Sequence, residues 1–335
     1  MPPGTLLFPH EKEKNEWYMT MENIRRYIHK AGALLLGCAL LSSCIAEDLS
    51  DCGKRLQLKV SFMFEPETDT RTADTETHRV ALYAFDQDGY CQLVHEFDIT
   101  GLDGVTTVDV ELEQKPYDFV AWVNSTGEHF SAPVFEDYPH TKPRRDVATL
   151  YFSVPQNDEV RFALPRLMHG AAYGYDLSQT DVVKIPLVQN TNYINFTAEG
   201  LPATTDTYEF EVKDNNGAYT FDNAFDACRP FRYLSGATFG RSTELTAQMN
   251  TLRLAEGRTP MFMFRNATTG KTLYPSTDTQ ETNLVKLIQK AYEGKTIDFD
   301  RKHTFDIRLK FDTNLGVTVS IDGWEVKEDD SGLRP

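Results

Sequence analysis

The strongest constraint on the fold is a rhythm in the chain. Short runs of alternating apolar and polar residues are broken roughly every 8 to 15 residues by turn residues. Leu56, Leu58, Val60 and Phe62 alternate with Gln57, Lys59 and Ser61, and Val108, Val110 and Leu112 alternate with Thr107, Asp109 and Glu111. A period of two puts each apolar set on one face of a strand. Runs at 79–85 and 92–99 flank Asp88-Gly89, where Gly supplies the positive φ of a tight hairpin. Tyr117 to Asn124 is strongly apolar, and Trp122 within it is a core candidate. A second block starts near Asp181, with strands expected at 182–188, 193–198, 208–212, 217–221 and 259–265. There Asn215-Asn216-Gly217 reads as another hairpin turn. The chain closes with runs at 303–311 and 317–326 around the turn 312–316. One helix is clear: Leu284, Leu287, Ile288 and Ala291 repeat at helical spacing, with Thr282 or Asn283 to cap and Gly294 to stop. A shorter helix is expected over 245–254, and long loops at 125–147 and 222–258. The class is mostly β, two β-sandwich domains at 55–178 and 181–328 with one short helix in the second.

The N-terminal region carries a different signal. Arg25, Arg26 and Lys30 make a positive segment, and Ala31 to Leu41 is an uncharged apolar run. As a helix that run spans about 16 Å, against a bilayer core of about 30 Å. It reads as the apolar part of a signal peptide over 21–43. Leu41-Ser42-Ser43-Cys44 is similar to a lipobox, with cleavage between Ser43 and Cys44 and lipid on the Cys44 thiol. One acyl chain anchors marginally, at about 0.8 kcal/mol per buried methylene, and two or three anchor stably. Residues 1–20 precede the signal as an extension from an upstream start codon, with Met21 the expected start. Residues 44–54 are left as a tether.

Removing residues 1–43 takes five Lys or Arg and four Asp or Glu from totals of 34 and 50, leaving net charge −17. No basic cluster suggests nucleic acid as a partner. Beyond Cys44 no apolar stretch is long enough to span a bilayer. Cys52, Cys91 and Cys228 remain for an oxidising compartment. Cys52–Cys91 is the favoured pairing, closing a loop worth about 4 kcal/mol, with three buried free thiols as the alternative.

No cofactor, metal or catalytic motif emerges. Asp86-Gln87-Asp88-Gly89 starts like a calcium loop, but Phe97 stands where the closing Glu belongs, and Gly323 ends the similar run from Asp312. The eight histidines are scattered, and no phosphate-binding or nucleophile motif is present. Glu96/Asp98 and Asp298/Asp300 are carboxylate pairs that read better as strand-edge charge than as a glycosidase pair. Arg71 reads as an exposed loop residue, and Trp122 and Trp324 as core rather than stacking platforms.

Several segments together resemble the FimB-like fimbrial anchor lipoproteins of Bacteroidetes, within the fimbrillin superfamily. They are Cys44 to Cys52 (CIAEDLSDC), Arg79 to Gly89 (RVALYAFDQDG), Tyr117 to Asn124 (YDFVAWVN) and Val317 to Trp324 (VTVSIDGW). Gly53 departs from the Pro common after the second Cys. The resemblance implies two tandem transthyretin-like Greek-key sandwiches. It implies a palmitate-bearing outer-membrane lipoprotein that anchors fimbriae and limits their length. Its partners would be fimbrillin shaft subunits, joined by β-strand addition. Glu47-Asp48 resembles a surface-export signal. The other readings are a carbohydrate-binding surface lipoprotein and a fimbrial tip subunit or adhesin.

Overall fold

The computed structural model describes residues 55–65, 74–102, 104–133, 135, 144–239 and 243–326. The extension 1–20, the signal 21–43, the tether 44–54, Ser43, Cys44, Cys52 and Arg71 lie outside the described residues. The described residues form one compact unit. It is mostly β, with one α-helix among the described residues.

Seven strands build the first sheet. In spatial order they are β3 (Cys91–Thr100), β2 (Thr77–Phe85), β5 (Pro116–Val123), β9 (Met168–Asp176), β10 (Val182–Gln189), β1 (Arg55–Phe64) and β4 (Gly104–Glu111). The sheet curls over on itself. Phe62 on β1 meets Phe97 on β3 at 6.4 Å between ring centroids, although four strands separate them in the sheet. Inside the curl, Leu58, Val60, Phe62 and Phe64 pack with Val80, Leu82, Phe119, Ala121, Val183 and Ile185. The turn at Asp88-Gly89 is the expected one, with Gly89 at φ 82° and its N–H donating to the Asp86 carbonyl at 2.9 Å. Gly170 is required where β9 lies close against β10, because a Cβ there would lie 2.5 Å from Ile185 Cγ2.

The run at 182–188, expected to open the second sandwich, belongs to this first sheet. β10 pairs in parallel with β1 and antiparallel with β9. The sheets therefore change hands at Asn190, not at residues 178–181.

The second half is two five-stranded sheets face to face. One runs β15 (Leu245–Leu252), β11 (Thr191–Glu199), β18 (Thr304–Phe311), β19 (Val317–Ile321), β20 (Trp324–Glu325). The other runs β17 (Thr272–Tyr274), β16 (Met261–Asn266), β12 (Thr207–Asp214), β14 (Phe231–Thr238), β8 (Glu159–Val160). Phe196 on β11 stacks between them on Phe210 at 4.7 Å and Phe262 at 5.3 Å. The helix α1 (Leu284–Ala291) buries Leu284, Val285, Leu287, Ile288 and Ala291. Asn283, not Thr282, caps it: its Oδ1 accepts from Val285 N at 3.0 Å and Lys286 N at 3.3 Å.

The two halves exchange strands. β8 comes from the first half of the chain and pairs with β14. A small sheet of β13 (Ala218–Thr220), β7 (Thr149–Phe152) and β6 (Phe130–Ser131) joins segments from both. Asn215-Asn216-Gly217 is thus not a hairpin turn. The chain leaves β12 there and β13 pairs with β7 instead. Asn216 is buried and accepts from the Tyr233 hydroxyl at 2.8 Å. Residues 245–252 form strand β15 rather than the expected helix, paired along its length with β11. Leu245 and Met249 are four apart, which is one helical turn and also two steps on one strand face.

Candidate functional site

Of the sequence-predicted site residues, only Cys91, the expected disulfide partner of Cys52, lies among the described ones. That residue is buried on β3, and its thiol donates to the Leu93 carbonyl at 3.3 Å. What the structure does build is the body such an attachment would hold, and its first strand. β1 follows the tether directly and sits inside the sheet, not at its edge. It makes eight residue pairs with β4 and six with β10.

A junction at the far end of β1 joins the two halves. Trp122 is fully buried there, edge-on to His169 at 4.6 Å and to Phe221 at 6.2 Å. His169 Nε2 lies 3.0 Å from the Phe221 carbonyl. A carbonyl only accepts, so the ring is protonated on Nε2. Burial pushes the His169 imidazole down to about 4, so it stays neutral at pH 7. Beside it Phe64, the last residue of β1, stacks on His303 at 6.2 Å. His303 is also pushed down to about 4, by burial first and then by Arg166.

Polar groups tie the same region together. Asp74 Oδ2 accepts from Arg166 Nη1 at 3.1 Å and His78 Nε2 at 3.0 Å. Arg166 Nε donates to Gln189 at the end of β10. Asn124 Nδ2 donates to the Arg166 carbonyl at 2.9 Å and lies 3.1 Å from His78 Nδ1. Asn124 sits at φ 58°, a left-handed conformation that Asn tolerates. Asp74, Glu76 and His78 offer ligand atoms within 4.8 Å of one another, a grouping the sequence reading missed. Their spacing of two was the available signal. Arg166 takes one Asp74 oxygen, which favours an ion-pair network over a metal site. On the surface Arg145 bridges Asp118 at 3.4 Å and Asp222 at 3.3 Å, joining β5 to the loop after β13. Tyr173 donates to Asp222 at 3.0 Å, and burial with the Asp222 charge pushes its phenol up to about 12.

Other weighed residues fall into place. Asp86 Oδ1 accepts from Asp88 N and Tyr90 N, and Asp312 Oδ1 from Asn314 N and Gly316 N, so both turns use their own carboxylates. Glu96 and Asp98, on the edge strand β3, both pair with Arg79 of β2. Asp298 and Asp300 share a turn, not a strand face, with Asp298 accepting from Asp300 N. Trp122 is core, but Trp324 is 49% exposed, with Lys295 Nζ 3.6 Å above its ring. β20 is a two-residue edge strand, too short to be covered.

The outer face of the sheet around β12 holds an ionic ladder. Glu209 is buried between Arg161 at 2.6 Å and Arg265. Burial alone would raise its carboxyl, but the Arg265 and Arg161 hydrogen bonds outweigh it and lower it. A groove of about 1150 Å³ runs between β19 and β20 on one side and residues 274–281 on the other. Its lining is polar, with Ser276, Thr277, Gln280, Glu281, Thr318 and Glu325. No helix among the described residues is long and apolar enough to cross a membrane.

The geometry defines a mostly-β structural body whose first strand is paired on both sides and whose polar clusters are ion-paired. A sequence profile of the fimbrillin-A associated anchor proteins Mfa1 and Mfa2 matches residues 49–330, and the chain belongs to that family. Its family is one of structural fimbrial proteins associated with the cell surface, not a family of enzymes. The fold is similar to that of the fimbrial anchor protein Mfa2 of Porphyromonas gingivalis, with TM-score 0.63 and 19% identity over 82% of this chain and 99% of that one. It is similar also to a candidate polysaccharide-binding protein of Bacteroides thetaiotaomicron, with TM-score 0.67 and 18% identity over 83% of this chain and 100% of that one. A candidate adhesin of the same organism gives TM-score 0.62 and 17% identity, over 83% and 99%. No curated protein matches the sequence.

Proposed function

We propose that this chain is the lipid-anchored base of a fimbria. The signal at 21–43 is cleaved between Ser43 and Cys44, and acyl chains on Cys44 hold the body in the outer membrane, facing outward. The second half engages a fimbrillin shaft subunit by β-strand addition, and this contact limits fimbrial length. Family membership across residues 49–330 carries the reading. The position of β1 supports it, since the tether leads into a strand inside a sheet, paired on both sides, rather than into an edge strand. A Cys52–Cys91 disulfide would fix the tether to β3. Sheet membership supports dividing the body near Asn190, with β10 in the first half, rather than at residues 178–181.

The test is Cys44→Ala in the native host, with cells examined by electron microscopy. Fimbriae should be shed into the medium or lengthen. Cell-bound fimbriae of normal length would refute the reading. The polar groove beside β19 favours a second reading, carbohydrate binding, because hydroxyl, amide and carboxylate groups suit sugar hydroxyls. Saturable heat of binding with surface glycans, lost on Gln280→Ala, would support it.

A further inference from the structure

We propose that β1 is a mechanical clamp, placed so that tension between membrane and fimbria loads its ladders in shear. The inference rests on the anchoring role proposed above, but its physical core is topological. The chain reaches β1 at Arg55, so a pull from the membrane side acts on the N-terminal end of that strand. The second half sits at the opposite end. Phe64 stacks on His303, and Arg301 Nε donates to the Glu65 carbonyl at 3.4 Å. A pull from the fimbrial side therefore acts beyond the C-terminal end of β1.

Its neighbours complete the geometry. β10 runs parallel to β1, from Lys59↔Val182 to Phe64↔Leu187, and passes directly into the second half at Asn190. Tension thus draws β1 toward its N-terminus and β10 toward its C-terminus, along one axis. Each hydrogen bond is weak alone. Loaded in shear, the rungs to β10 and β4 stretch together and must fail together. Loaded from one end across the ladder, they would open one at a time. The buried row Leu58, Val60, Phe62 and Phe64 adds resistance, since sliding β1 drags those side chains out of register with the core. The last strand among the described residues differs. β20 is two residues long and lies at a sheet edge. The strong strand is the first one, on the membrane side.

Single-molecule pulling on the full chain from Cys44 onward tests this, with one handle at its N-terminus and one in the exposed turn at Thr269. Ser61→Cys with Lys184→Cys staples β1 to β10, because the register puts those residues opposite each other and neighbouring strands lie within disulfide reach. The stapled protein should give a first rupture at least about ten-fold slower at fixed load, since forced unfolding follows the unfolding barrier. Reductant should restore the original rate. A second geometry, with handles at Asp88 and Thr269, leaves β1 out of the load path, and the staple should change nothing there. An unchanged first rupture in the first geometry would overturn the clamp. So would equal slowing in both, which would mean general stabilisation. Both readouts use purified protein, so they stand apart from the Cys44→Ala outcome in cells.

Discussion

Trp122 and Trp324 show what burial does to one residue type. Trp122 fills the junction between the halves and touches His169, Tyr219 and Phe221. Trp122→Ala should cost about 3–5 kcal/mol, as large-to-small changes of fully buried aromatics do. Trp324→Ala should stay within about 0.5 kcal/mol. Urea unfolding of both variants checks the contrast, and equal losses would contradict it. His303 gives a pH dependence at the same scale. Neither ring nitrogen has a hydrogen-bond partner among the described residues, and Arg166, Lys302 and Asp298 face it. Its ring is held down to about 4, against 6.5 when unfolded. Between those values the unfolded chain binds the extra proton. The neutral ring's stability is therefore fully present above pH 6.5 and drains as pH falls toward 4. His303→Leu removes that drain. Unfolding midpoints compared at pH 7 and pH 5 should fall less for the variant than for the parent chain, and equal falls would show that His303 does not titrate this way.

Elements respond to their ends and crossings. Gly170 marks where β9 and β10 touch, and the three residue pairs between them are the seam of the curled sheet. Gly170→Ala drives a Cβ into Ile185 and the Pro186 carbonyl, so a loss of about 1–3 kcal/mol or more is expected in thermal or urea unfolding. Asn283→Ala removes the α1 cap at about 1 kcal/mol, read from the same measurement. These elements also show what the sequence revealed. β1, β2, β4 and β5 were legible because alternation or unbroken apolar runs survive there. The cap and stop of α1 were legible because each is local chemistry. β14 was not, since Phe231–Thr238 carries Arg232 and Gly236 on its outer face and blurs the alternation. β9 hid behind Gly170 and Gly174, whose roles are a close approach to β10 and a φ of 64°. Partner choice is the deeper limit. Nothing near Val182 says that its strand pairs with β1, or that its neighbour Asp181 meets Lys59, 122 residues away. The Glu209–Arg161–Arg265 cluster likewise depends on three strands meeting.

At the scale of the molecule the two sandwiches behave as one body because they share material. One continuous core runs from Ala81, Phe85 and Trp122 through Leu150 and Phe152 to Tyr219, Phe221 and Ile321. β8 and β13 cross the divide in opposite directions, each completing a sheet of which the other half supplies the rest. A subunit under tension gains from this arrangement, since a hinge of few contacts would yield before either sandwich did. Shared burial also couples their stabilities, because opening one half exposes apolar surface of the other. Residues 54–335 should therefore unfold in a single transition. Urea curves followed by Trp fluorescence and by far-ultraviolet circular dichroism should coincide, and the calorimetric and van't Hoff enthalpies should agree. Residues 191–326 alone lack Trp122 and β8, leaving Tyr219, Phe221 and the outer side of β14 uncovered, so that fragment should bind a hydrophobic dye and unfold without a sharp step. Two separated transitions in the whole body, or a cooperatively folding fragment, would show that the halves are independent domains after all.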